Sequence, residues 1–190
     1  MKHWFPTTYR TVSALTVVVG VLLILFGAQL IQATAQQVGE YHIKAVFLTN
    51  LSHFVTWPES AHSQQTPFII GIYGPDPFAS ILDKAVAGEK KNNRPLKIEH
   101  YHSLKDIDPA RCNILFIQES KLSEWQAIRS LLANYPVLTV ADINGFPEAG
   151  GMVNLVKNGQ KIQLEINHSA VQKSGLTMSS KLLSLARIVP

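Results

Sequence analysis

The sequence predicts an α/β fold: a mixed, largely parallel sheet flanked by helices, with a C-terminal β-hairpin and helix. Three observations predict it. Short unbroken apolar runs at 68–74, 114–117 and 137–140 have the length and composition of strands buried on both faces. Stretches of helical periodicity stand between them, as in parallel strands joined by crossovers. Near the end, Asn158-Gly159 separates two apolar arms, the strongest short-range hairpin signal because both residues tolerate positive φ.

In chain order, Ile43, Val46, Phe47, Asn50, Leu51 and Phe54 recur at three- and four-residue steps and predict a helix with that stripe inward. Trp57-Pro58 ends it, because a residue before proline is pushed out of the α region. Phe68–Gly74 is the first buried strand. Asp76 and Pro77 have the residue types of an N-cap and first helical position, opening a helix with Phe78, Ile81, Leu82, Ala85 and Val86 inward. Gly88 stops it, and 89–95 reads as a polar loop. Residues 96–101 alternate as a second strand, and 114–117 form a third. A helix over 122–132 turns Trp125, Ile128, Leu131 and Leu132 inward, and 137–140 form the fourth strand. The hairpin arms are 152–156 and 161–166, with Ile162, Leu164 and Ile166 facing the core and Lys161, Gln163 and Glu165 facing away. Asn167 caps a short helix that Gly175 ends, and a last helix covers 178–188.

Of 190 residues, 46% are hydrophobic and 16% charged, which excludes a disordered chain. The net charge of +4 includes Lys2 and Arg10 at the amino terminus. The rest of the chain is too weakly basic for a phosphate-neutralising surface, so nucleic acid is not an expected partner. Residues 12–31 form an uncharged apolar run, preceded by Lys2 and Arg10 and followed by Ala33-Thr34-Ala35, a small-x-small cleavage pattern. This reads as a signal peptide over 1–35, cut after Ala35, leaving 36–190 as one α/β domain. The run is also long enough for an uncleaved membrane anchor. Either way, residues 36–190 lie beyond the membrane.

The chemistry-bearing patterns are few. No phosphate loop, HExxH, GxSxG or CxxC occurs. Cys112 is the single cysteine, so no disulfide closes within the chain; it reads as a buried small hydrophobe or as a thiol pairing between subunits. His100 and His102 share a strand face without a nearby third ligand, so no metal and no cofactor is predicted. Ser179-Ser180-Lys181 lacks the spacing of a Ser/Lys nucleophile and suits a helix start. Residues 142–151 (DINGFPEAGG) follow a buried strand at its carboxyl end, where open α/β sheets bind ligands. That loop reads as a tight connection or as a ligand site using Asp142, Gly145 and Gly150 beside Phe146.

Lys44-Ala45, Phe47-Leu48, Asn50, Phe54 and Trp57-Pro58 resemble the opening KAxFLxNxxxFxxWP of the YfiR family. The resemblance runs on through Asp76-Pro77-Phe78, Arg94-Pro95-Leu96, Gly150–Leu155 and Ser179–Ala186. It implies a periplasmic, non-catalytic α/β protein. The best-known member represses an inner-membrane diguanylate cyclase by binding its periplasmic sensor domain, lowering cyclic di-GMP and biofilm formation. A homodimer is a further implied partner; that member's is held partly by disulfides, for which this chain has one cysteine. The partner surface expected here is Gln163 and Glu165 on the outer hairpin face with Phe146, Met152 and Arg187, the Glu165 carboxylate being free to meet a cation. The competing expectation is a small-molecule binding module built on the 142–151 loop.

Overall fold

A computed structural model describes residues 39–58, 67–159 and 161–189. The leader over 1–35 lies outside the described residues. The chain runs α1 (residues 39–54), β1 (Val55–Thr56), β2 (Phe68–Tyr73), α2 (Ser80–Val86), β3 (Lys90–Lys91), β4 (Arg94–Tyr101), β5 (Cys112–Ile117), α3 (Trp125–Leu132), β6 (Leu138–Ala141), β7 (Val153–Asn158), β8 (Lys161–Asn167), α4 (His168–Lys173), β9 (Thr177–Met178), α5 (Ser180–Leu185) and β10 (Ala186–Val189). Eight strands form one sheet in the order β10-β8-β7-β6-β5-β2-β4-β3, and β1 pairs β9 in a separate ribbon. Within the large sheet only β7–β8 and β3–β4 are antiparallel, so the mixed, largely parallel α/β architecture expected from the sequence is present.

Alternation along the strands divides the core in two. Ile70, Ile72, Ile114 and Phe116 face one cluster with Ala45, Leu48 and Leu51 of α1, Leu82 of α2 and Leu182 of α5. Tyr73, Leu115 and Ile117 face the other, beneath Trp125, Ile128 and Leu132 of α3. Cys112 is fully buried there, and its Sγ donates to the Ile114 carbonyl at 3.2 Å. Burial pushes the thiol up to about 12, which describes a packed small hydrophobe and not a surface thiol for pairing subunits.

Four elements differ from expectation. The buried face of α1 is rotated: Lys44, Ala45, Leu48, Leu51 and Ser52 are inside, while Ile43 and Val46 are 43% and 55% exposed. The hydroxyls of the buried Thr49 and Ser52 satisfy themselves on carbonyls of the same helix. Asp76 does not cap α2; its Oδ1 accepts from the Phe78 N–H at 2.8 Å in a local turn, and the helix begins at Ser80. The polar stretch 89–95 holds a tight hairpin, with Asn92 and Asn93 at φ 50° and 66° between β3 and β4. The last helix covers only Ser180–Leu185. The chain then extends as β10, parallel to β8, so Arg187 stands on an edge strand.

The hairpin, the cap and the first turn of α5 are as the sequence reads. β7 and β8 pair through Asn158 and Lys161, with Gly159 at φ 62°. Asn167 Oδ1 accepts from the Ala170 N–H at 2.8 Å, and Ser179 Oγ accepts from the Leu182 N–H at 3.3 Å.

Candidate functional site

The carboxyl end of β6 delivers Asp142 to the first turn of α1. Its Oδ2 accepts from Lys44 Nζ at 2.8 Å and from the Tyr41 hydroxyl at 3.1 Å. Lys44 also meets Glu40 at 2.5 Å, one turn earlier, and Lys157 of β7 meets Glu40 at 2.8 Å. These side chains, with Asn144, line a polar cavity of about 290 Å³. Two carboxylates and two ammoniums neutralise one another there, so Asp142 is not an open acid. Lys44 is 3% exposed, and its ammonium also lies 4.7 Å from the centre of the Tyr41 ring. Burial, then the Asp142 carboxylate, raises the Tyr41 hydroxyl well above the usual tyrosine range. Burial pushes the Glu40 carboxyl upward, but hydrogen bonds from Lys157 and Lys44 outweigh it, and the group is held below the ordinary carboxylate value.

A depressed carboxylate stabilises the fold above its unfolded pKa and loses that contribution as pH falls through the folded one. Stability should therefore decline below about pH 4.3, the reference range for a glutamate. Glu40→Gln should flatten that part of the profile in urea melts from pH 7 to 3; an unchanged acid limb would remove Glu40 from the ion-paired latch that Glu40, Lys44, Asp142 and Lys157 form.

The 142–151 loop is pinned from three sides. The Asn154 side chain accepts from the Ile143 N–H at 2.9 Å and donates to its carbonyl at 2.8 Å. Trp125 Nε1 donates to the Ala149 carbonyl at 2.9 Å, and Asn167 Nδ2 to the Pro147 carbonyl at 3.0 Å. Phe146 is buried, packs on Trp125 and covers Gly151 so closely that a Cβ there would lie 2.3 Å from its ring. The loop does not form the single pocket expected of it. Asp142 lines the α1 cavity, Gly150 lines a groove beside α3, and Gly145, at φ 75°, borders neither.

The expected partner surface is likewise divided. Gln163 is exposed and Met152 half-buried, while Phe146 belongs to the core and is not available to a partner. The Glu165 carboxylate is not free. It is 7% exposed, Oε1 accepts from Arg187 Nε at 3.0 Å and closely from Nη2, and Oε2 accepts from Asn154 Nδ2 at 3.3 Å. The strand alternation was correct for Gln163, but β10 adds a neighbour at the Glu165 end of β8 and places Arg187 in register beside it. The same strand exposes Ile188 at 51%, and Leu185, at the end of α5, is 68% exposed. His100 and His102 are exposed, and no group of three or more metal-ligating side chains exists among the described residues. No helix among them is long and apolar enough to cross a membrane.

Among solved structures, the chain is similar to the ABC domain in complex with L-Trp from Streptococcus pneumonia. The TM-score is 0.53 at 12% identity, over 76% of this chain and 60% of that one, which shows the fold alone. The chain thus spans about 60% of the length of that structure. The family model for YfiR/HmsC-like proteins matches residues 41–187, from the first turn of α1 into β10. With every strand of the eight-stranded sheet inside or touching that match, the chain belongs to the YfiR/HmsC-like family.

Proposed function

We propose that this protein is a periplasmic, non-catalytic regulator. It is exported by the leader that ends at Ala35, and it binds and represses the sensor domain of an inner-membrane diguanylate cyclase, lowering cyclic di-GMP. Family membership supports the role. The observation that carries the binding mode is the open edge of the sheet. β10 pairs only with β8 among the described residues, and Leu185 and Ile188 stand exposed beside that edge. Unpaired N–H and C=O groups on an edge strand accept a strand from a partner, and flanking apolar side chains supply the buried contact. Gln163 and Arg187 border this surface. Repression follows if the edge fits the quiescent sensor domain better than the active one; swinging 1:99 to 99:1 requires a difference of about 5.5 kcal/mol.

The test is capture of the cyclase from solubilised inner membrane by the purified protein. Leu185→Asp with Ile188→Asp should reduce capture at least tenfold, while the melting temperature stays near wild type, since both side chains face water. Undiminished capture by the double variant would remove β10 from the interface. Failure of the wild-type protein to retain any diguanylate cyclase would remove the function.

A further inference from the structure

The second site is a groove between α3 and α4, and it does not depend on the partner reading. The half-buried Met152, with the small exposed parts of Trp125 and Leu132, forms the apolar floor of a groove of about 240 Å³ between α3 and α4. Arg129 of α3 and Lys173 of α4 line the same groove. Neither has an ion-pair partner among the described residues, whereas six other basic side chains do. No aspartate or glutamate lines the groove among those residues. Two exposed cations border one groove with no counter-charge among the described residues, and an anion is the component that complements them. The Arg129 guanidinium lies over Gly150, in ordinary contact distance of where a Cβ would stand, and the φ of 91° at Gly150 is what favours glycine there.

We propose that this groove binds a small aromatic monocarboxylate. The floor takes the ring: Trp125 offers an aromatic surface whose Nε1 is already satisfied by Ala149, and Met152 a polarizable thioether. Arg129 pairs with the carboxylate through its planar fork, and Lys173 adds a point charge. The volume is below the ~300–1,000 Å³ of sites for drug-sized ligands, so the ligand is one ring with a short acidic arm. Free amino acids are discriminated against, because their ammonium would enter a site with two cations and no acid to receive it. Inorganic anions gain nothing from the floor.

Isothermal titration of the purified full-length protein with phenylacetate tests this. Phenylacetate should bind one to one, and phenylacetamide, L-phenylalanine and inorganic phosphate each at least tenfold more weakly. Arg129→Gln and Lys173→Gln should each weaken phenylacetate at least tenfold without moving the ligand-free melting temperature, since neither side chain holds an ion-pair partner among the described residues. No heat from millimolar phenylacetate would overturn the site. So would equal binding of the amide, the amino acid or phosphate, or undiminished binding by either variant.

Discussion

Replacing Lys44 with methionine is expected to destabilise the protein by about 3–5 kcal/mol, the range for breaking a buried ion pair from one side. Methionine fills the space of the stem, so packing is nearly kept and the effect reports the charge. Lys44 is the cation that both Glu40 and Asp142 share. Without it, two carboxylates face each other across a polar cavity, with Lys157 left for Glu40 and the Tyr41 hydroxyl for Asp142. Since a domain's total stability is about 5–15 kcal/mol, such a loss brings the fold near its margin. Urea melts at neutral pH read it. Adding Asp142→Asn should recover part of the loss, because the double variant removes one of the stranded charges, and that coupling distinguishes a latch from general damage. A Lys44→Met protein within about 0.5 kcal/mol of wild type would mean that the latch contributes nothing.

The second large effect is at Glu165. Charge reversal to lysine is expected to cost about 2 kcal/mol or more of stability, because a buried carboxylate held by Arg187 and Asn154 becomes an ammonium facing a guanidinium. The consequence reaches beyond β8. Arg187 anchors β10 to Glu165, and Asn154 links Glu165 to the backbone of Ile143. The reversal should therefore loosen both the edge strand and the 142–151 loop, seen as faster amide exchange in both segments. Glu165→Gln, which keeps an acceptor, should show a smaller loss. A melting temperature unaltered by Glu165→Lys would restore the carboxylate to the surface role that strand alternation alone suggests.

The architecture was largely legible because its strands are self-announcing. Runs such as Phe68–Gly74 are too short and too apolar for a surface helix, and Asn158-Gly159 reads as a turn from local backbone preference. What was illegible is non-local. The phase of α1 could not be read from large side chains, since Ile43 and Val46 outweigh Ala45 and Ser52 on any hydropathy scale. The true face is set by a sheet that prefers small residues and by Asp142, 98 positions later, which makes Lys44 affordable inside. The segment after Leu185 has helical spacing of apolar residues, but the unpaired edge of β8 offers it a ladder, and tertiary pairing overrides propensity. That one change moves Arg187 onto Glu165, withdraws the expected free carboxylate and places the exposed Ile188 on the edge strand. Phe146 reads as an interface residue from its type and its place beside a loop; Gly151 beneath it, where no Cβ fits, is the sequence feature that favours core.

The most direct measurement is cyclic di-GMP synthesis from GTP by the solubilised, full-length membrane cyclase, with increasing amounts of this protein added. Saturable inhibition, lost in the Leu185→Asp, Ile188→Asp variant and retained in a folded variant altered elsewhere on the surface, is the predicted result. A cyclase rate that stays constant at every concentration of wild-type protein would contradict the account.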